Sequence, residues 1–217
     1  MAADADQPAV ALDPGGPMPL LGFGTWQMTG GRCQAAVRHA LEVGYRHLDT
    51  AAMYRNERDV GRGVRDSGVP REQVFVTTKL PPGDAGRERR TLDNSLRALG
   101  MDYVDLWLVH WPPPARALQS TWKALLAARD QGLVRAVGVS NYSTAQLDEL
   151  TAATGEAPQV NQIPWAHQIL AHGISTSFQL AVVFAAVALA IALLVIRPAP
   201  RPEAEAEAEV AEVPVAG

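Results

Sequence analysis

The chain has 217 residues, of which 47% are aliphatic or aromatic and 19% charged, with a formal net charge of -4. These figures exclude a disordered chain and a basic nucleic-acid binder, and the length excludes a large two-domain enzyme, because domains cluster near ~100 to 150 residues. The charge is unevenly spread: residues 1–173 carry 17 basic and 18 acidic groups, residues 174–196 carry none, and residues 197–217 carry two Arg and five Glu.

Residues 1–11 hold two Asp and no cation ahead of an apolar run, so they read as a flexible tail rather than a secretory signal. Cys33 is the only cysteine, which excludes an internal disulfide framework and a zinc cluster. It lies on the apolar stripe of an expected helix and reads as an inert buried thiol in a reducing compartment. Short β-rich runs then alternate with helical periods: LLGFGTW (20–26), YRHLDT (45–50), VFVTTK (74–79), YVDLWLVH (103–110), LVRAVGVS (133–140) and QVNQI (159–163). Leu92, Leu96 and Leu99 recur at helical spacing, as do Leu118, Trp122, Leu125 and Leu126. Each helical segment stops near a glycine, at Gly44, Gly68, Gly100, Gly132 and Gly155, and Ser143 with Gln146 forms a capping box at the start of the last. The intervals between those glycines are 24, 32, 32 and 23 residues, a βα repeat.

Repeated βα units with near-continuous apolar strands imply a parallel sheet covered by helices. A doubly wound open sheet competes with a (β/α)8 TIM barrel. The open sheet usually carries a glycine-rich phosphate turn after its first strand, but Gly22 and Gly24 lead into Trp26 without the third glycine of GxGxxG. Thr25, Asp49, Lys79, His110, Ser140 with Asn141, and Gln162 stand at or just past the carboxyl ends of successive runs, where barrel enzymes assemble their sites. That placement favours the barrel.

The stretches MPLLGFGTW (18–26), GYRHLDTAAMYRNE (44–57), VFVTTKLP (74–81), LGMDYVDLWLVHWP (99–112), GLVRAVGVSNY (132–142) and VNQIPW (160–165) resemble the aldo-keto reductases, barrel enzymes that reduce carbonyls with NADPH. The similarity covers roughly residues 12–168, and D-T-A-x-x-Y-x-N-E and L-x-H-W-P are its most specific strings. The resemblance implies a catalytic tetrad of Asp49, Tyr54, Lys79 and His110 acting on an aldehyde or ketone. Tyr54 would be the acid. A tyrosine has a reference pKa of ~10, and a neighbouring ammonium lowers it; Lys79, held by Asp49, would be that ammonium, and His110 would donate a hydrogen bond to the substrate carbonyl. Taken one at a time, Asp49 reads as a turn residue, Tyr54 as a surface aromatic, Lys79 as a solvated charge and His110 as a core histidine. The resemblance further implies NADP(H) contacts from Thr25, Asp49, Ser140, Asn141 and Gln162, and an apolar substrate wall from Trp26 and Trp111, with no metal. His47 reads as structural, on the side of its strand away from Asp49, and Trp107 reads equally well as core packing.

The family pattern fades around residues 166–173, giving a truncated barrel of about six βα strands over residues 12–168. Two open sheet edges would then invite self-association, and groups that grip the cofactor's phosphates would be missing, weakening NADPH binding. Residues 174–196 are 23 uncharged residues, of which 19 are apolar. At ~1.5 Å per residue they reach about 34 Å, enough for one transmembrane helix. Residues 197–217 read as a disordered acidic tail. The apolar segment and tail weakly resemble the last helix of a major facilitator multidrug efflux transporter. The resulting expectation is a single-pass membrane protein with a cytoplasmic reductase-like part; the alternative is a non-catalytic membrane-anchored remnant or a chimeric fusion.

Overall fold

A computed structural model describes residues 7–162 of the chain. Eight strands and five α-helices follow in the order β1 (Ala9–Leu12), β2 (Gly16–Pro19), β3 (Gly22–Gly24), α1 (Gly30–Glu42), β4 (His47–Asp49), α2 (Glu57–Ser67), β5 (Phe75–Leu80), α3 (Glu88–Leu99), β6 (Val104–Val109), α4 (Ala115–Asp130), β7 (Val134–Ser140), α5 (Thr144–Thr154) and β8 (Asn161–Gln162). The last six strands form one parallel sheet in the order β3-β4-β5-β6-β7-β8. Strand order thus follows chain order without reversal, whereas a doubly wound sheet reverses at a switch point. Between the two architectures open from the sequence, the barrel wall is the one observed.

The sheet is curled. Gln162 Nε2 on β8 donates a 2.7 Å hydrogen bond to Asp49 Oδ2 on β4, although four strand intervals separate them. At about 4.8 Å per interval a flat sheet would hold those strands roughly 19 Å apart, beyond the reach of two short side chains. The concave face of a partial barrel is therefore the face that Asp49 and Gln162 share.

Alternation along the strands divides the apolar residues between two layers. Trp107, Val109, Val137 and Val139 point outward and pack with Val37, Leu92, Leu99, Trp122, Leu125 and Leu150 beneath the helices. Leu106, Leu108, Phe75 and Ala136 point inward and pack with Leu12. Every residue of β5 and β6 is buried, so their runs are continuous rather than alternating, as parallel strands covered on both faces require. Each fully buried Leu or Val contributes about 1.5 to 3 kcal/mol relative to exposure. Trp107 belongs to this core, 1% exposed.

Local signals ended the helices where the sequence placed them. Gly68, Gly100 and Gly155 take the left-handed conformation as C-caps of α2, α3 and α5, and the Ser143/Gln146 capping box opens α5. Cys33 is buried in α1 with its thiol pushed up to about 11, by burial first and by the Asp59 carboxylate second, so it stays a protonated, unreactive thiol at neutral pH.

Two features depart from the sequence reading. Residues 9–11, assigned to a flexible tail, lie in β1, which pairs antiparallel with β2 in the register Leu12↔Gly16 around a turn at Asp13-Pro14-Gly15. Leu12 seats this hairpin against the concave core, and the approach is close: a Cβ on Gly15 would stand 2.8 Å from Ala136 Cβ. His47, expected on the side away from Asp49, is on the same side, because positions two apart on a strand share a face. It is nevertheless structural. Its Nδ1 meets Pro19 O at 2.9 Å and its Nε2 meets Thr77 Oγ1 at 2.9 Å, and burial lowers its pKa, keeping it a neutral bridge between hairpin and sheet.

Among the described residues no helix is long and apolar enough to cross a membrane. The transmembrane reading of residues 174–196, the acidic tail 197–217 and the end of the barrel part near 168 lie outside the described residues.

Candidate active site

At the carboxyl end of the sheet, successive strands deliver chemically active side chains to one place. Asp49 ends β4, Lys79 is the fifth residue of β5, and His110 follows β6. Tyr54 closes a 3-10 turn, Ala52–Tyr54, just after β4. Lys79 is 2% exposed. Its ammonium is paired with Asp49 Oδ1 and donates to Thr50 O at 2.9 Å, so this buried cation is both neutralised and hydrogen-bonded. The Lys79 ammonium lies 5.5 Å from the centre of the Tyr54 ring, and the Tyr54 and His110 rings meet edge to face at 5.7 Å. All four residues of the expected tetrad are therefore brought together.

The electrostatics differ from the sequence expectation in one respect. The Tyr54 phenol is pushed up to about 12, by burial first and by the Asp49 carboxylate second, whereas Lys79 was expected to lower it. The Lys79 charge is already compensated by Asp49, so the phenol faces an ion pair rather than a bare ammonium. Burial lowers the Lys79 pKa while Asp49 raises it, burial being the larger effect. His110 is lowered to about 4, by burial first and then by Lys79, and its Nδ1 is buried without a hydrogen-bond partner among the described residues. At neutral pH the site thus holds a protonated phenol and a neutral imidazole. Because the folded pKa of His110 lies below its ordinary 6.5, the unfolded chain takes up this proton first, and stability falls as pH drops from 6.5 towards 4. The expected result of an NMR titration is a His110 ring that keeps its neutral chemical shift down to pH 5; a midpoint near 6.5 would contradict the burial.

Ser140, Asn141 and Gln162 are joined across β7 and β8. Asn141 N donates to Gln162 O at 3.0 Å, Ser140 Oγ donates to the same carbonyl at 2.9 Å, and Asn141 Nδ2 donates to His110 O at 2.9 Å. Two primary amides at adjacent strand ends carry both donors and acceptors, the set that a ligand carboxamide needs. Thr25 is fully buried and ties the loop after β3 to β4 through Thr25 Oγ1 to Asp49 O at 3.2 Å. Trp26 and Trp111 stand 62% and 49% exposed beside the site, an open apolar rim rather than part of the core. Gln27, Arg55 and Asn141 adopt left-handed backbone conformations, with φ of 64°, 57° and 64°, in the loops after β3, β4 and β7. Such strain in non-glycine residues collects at functional sites.

Two buried neighbours, Asn56 and Glu57, carried no assigned role in the sequence reading. Asn56 is fully buried; its Nδ2 donates to Thr25 O at 2.7 Å and to Met28 O at 2.9 Å, and its Oδ1 accepts from Thr50 Oγ1 at 3.0 Å. Next to it the Glu57 carboxyl, raised by burial, accepts from Thr78 Oγ1 at 2.6 Å. The signal for both was the N-E at the end of the D-T-A-x-x-Y-x-N-E string, whose partners lie in the loops after β3 and β4 and, for Glu57, in β5, which sequence spacing does not connect.

A cavity of about 550 Å³ lies at the opposite, amino-terminal end of the sheet, lined by Gly15, Arg46, Phe75, Asp105 and Arg135 among others. Its one deeply buried charge is already matched, since Asp105 pairs with Arg71 at 2.8 Å and Arg135 at 3.1 Å and accepts from Val76 N. This end is built for stability.

Comparison with known proteins agrees with this geometry. The pattern of the aldo/keto reductase family matches residues 20–176. The methylglyoxal reductase DkgA of Yersinia pestis is 45% identical over 158 residues, which are 72% of this chain and 57% of that protein. The crystal structure of an aldo/keto reductase from Brucella melitensis superimposes with a TM-score of 0.70 at 42% identity, covering 72% of this chain and 62% of that one. An aldo-keto reductase of Bombyx mori, solved in complex with NADP, gives a TM-score of 0.68 at 35% identity over 72% of this chain and 58% of its own. The chain spans less than two thirds of the length of each of these relatives.

Proposed function

The chain belongs to the aldo/keto reductase family, and on that premise we propose that it reduces an aldehyde or ketone to an alcohol with NADPH. The observation that carries the reading is the convergence of Asp49, Tyr54, Lys79 and His110 from three successive strands and one turn. A small reactive aldehyde is the substrate class to try first, since relatives at this level of identity include methylglyoxal reductases.

Ser140, Asn141 and Gln162 would hold the cofactor's carboxamide, with Asp49 and Thr25 beside them. A nicotinamide bound there would supply the hydride for the carbonyl carbon. The chain's own residues manage the oxygen. His110, neutral in this environment, donates an N–H to the carbonyl oxygen and orients it. Tyr54, whose phenol is pushed up to about 12, keeps its proton through the neutral range and delivers it once the oxygen gains alkoxide character. The Lys79 ammonium, paired with Asp49, stands 5.5 Å from the ring centre, and the phenolate left behind takes its next proton from water. Trp26 and Trp111 offer an apolar wall to the rest of the substrate.

The test is NADPH oxidation by the purified full chain over an aldehyde panel, beside Tyr54→Phe. The expected result is a loss of roughly 100-fold or more in kcat for the variant, the scale at which a positioned acid contributes. Equal rates, or no rate from either protein, would sink the reading in favour of a non-catalytic remnant.

We also propose, from the sequence of residues 174–196, that this segment anchors the chain in a membrane as a single span. Its 23 uncharged residues are the support. Release of the full chain from membranes by alkaline carbonate would contradict it.

A further inference from the structure

Asn56 occupies the N-cap position of α2, where an asparagine ordinarily accepts a hydrogen bond from the first turn of its own helix. Here it makes no such bond. Its amide is committed elsewhere: the nitrogen to Thr25 O and Met28 O, the oxygen to Thr50 Oγ1. Those three contacts tie the loop after β3, which carries Trp26, to the loop after β4. Thr50 in turn presents the carbonyl that accepts from Lys79 Nζ at 2.9 Å, and Asn56 follows directly on the left-handed Arg55 and on Tyr54. Asn56 and Thr50 are both fully buried, so water does not compete for these groups.

Resting on the carbonyl-reducing reading above, we propose that Asn56 is a positioning residue: it fixes the Thr50 carbonyl that holds Lys79 and the turn that presents Tyr54, and it does not serve α2 as a cap. Loss of its amide frees three buried polar groups at once, and the site loosens before the helix does. A cap would tolerate aspartate, which accepts as well as asparagine does. A positioning residue would not, because aspartate cannot donate to the Thr25 and Met28 carbonyls.

The chain has only two lysines, the buried Lys79 and the exposed Lys123, so acetylation by a limiting anhydride gives an internally referenced measure of Lys79 exposure. Full-length wild type, Asn56→Asp, Asn56→Ala and Thr50→Val are labelled and the Lys79 to Lys123 ratio is read by peptide mass spectrometry. Leu150→Ala, a core change in α5 remote from the site, controls for general destabilisation. The expected result is a ratio raised about tenfold in both Asn56 variants, as the local opening of a segment that loses its buried hydrogen bonds implies. Thr50→Val, which removes one link with little change of shape, should raise it about threefold. Activity should fall about tenfold or more in kcat with KM within threefold, as loss of alignment rather than of binding requires. If the Asn56 variants do not fold, Thr50→Val alone decides. A ratio no higher than that of Leu150→Ala, or an Asn56→Asp protein that labels and turns over as wild type does, overturns the proposal. A wild-type chain that never oxidises NADPH overturns the carbonyl-reducing reading instead, and the labelling ratio still decides whether Asn56 positions Lys79.

Discussion

Replacing Asp49 with alanine is expected to destabilise the chain by about 3 to 5 kcal/mol at pH 7, the usual effect of removing one partner of a buried ion pair. Lys79 is 2% exposed, and without Asp49 its only polar partner among the described residues is the Thr50 carbonyl. Against a total stability of about 5 to 15 kcal/mol, that loss brings the domain close to unfolding. Removing the other partner should cost less: Lys79→Met puts an apolar chain where burial already disfavours charge, and the Asp49 carboxylate, 17% exposed, keeps the 2.7 Å bond from Gln162 Nε2. The sign of the pH dependence follows from Lys79. Burial lowers its folded pKa below the ordinary 10.5, so the unfolded chain binds this proton more tightly and stability rises with pH through the interval between the two values. Asp49→Ala removes the contribution that opposed the lowering, which widens the interval. Urea unfolding at pH 7 and pH 10 should therefore show the variant recovering part of its deficit at the higher pH. A deficit independent of pH, or one equal to that of Lys79→Met, would mean that Lys79 is not buried as a charge.

The strand runs and the helix-ending glycines were legible because each is a local signal: apolar residues must be buried, and Gly68, Gly100 and Gly155 accept the left-handed caps. Edges were less legible. Among the described residues the run expected over residues 20–26 pairs only at Gly22–Gly24, and that over 159–163 only at Asn161–Gln162, since these strands stand at the two ends of the described sheet. The β1–β2 hairpin escaped because its second strand, Gly-Pro-Met-Pro, has little strand propensity. Contact of Leu12 with the concave core holds it there, a contact that no window of sequence contains. The family strings named four side chains that the fold brings together, but not their electrostatics. The Tyr54 pKa depends on how much of the Lys79 charge is left after Asp49, a three-body question. Asn56 carried no role in the sequence reading, because its partners Thr25, Met28 and Thr50 lie in loops far from it or invisible to helical periodicity.

Gly61→Ala should be the most damaging of the small substitutions in α2, and the reason lies in how closely α2 meets α3. An added Cβ at Gly61 would stand 1.9 Å from Leu99 O and 2.6 Å from Leu99 C, so a backbone must move. Taken alone, alanine in a helix is favoured over glycine by about 1 kcal/mol, which predicts a gain. Overpacking against backbone costs about 1 to 3 kcal/mol and sometimes more, and here it has the larger magnitude, since no flexible side chain can yield. At about 2 to 4 °C per kcal/mol for a chain of this size, the expected change is a drop in Tm of several degrees. The control is Gly83→Ala, where an added Cβ meets nothing within 4 Å, and which should leave Tm unchanged. The displacement would also reach the site, because α2 begins at Glu57, directly after Asn56 and the Tyr54 turn. A shift of α2 away from α3 pulls on the Asn56 ties to Thr25, Met28 and Thr50, so Lys79 should become more reactive to acetylation in Gly61→Ala even below the unfolding transition. Equal melting of the two glycine variants would show that α2 and α3 have room to separate, and would remove the packing constraint that holds Tyr54 over Lys79.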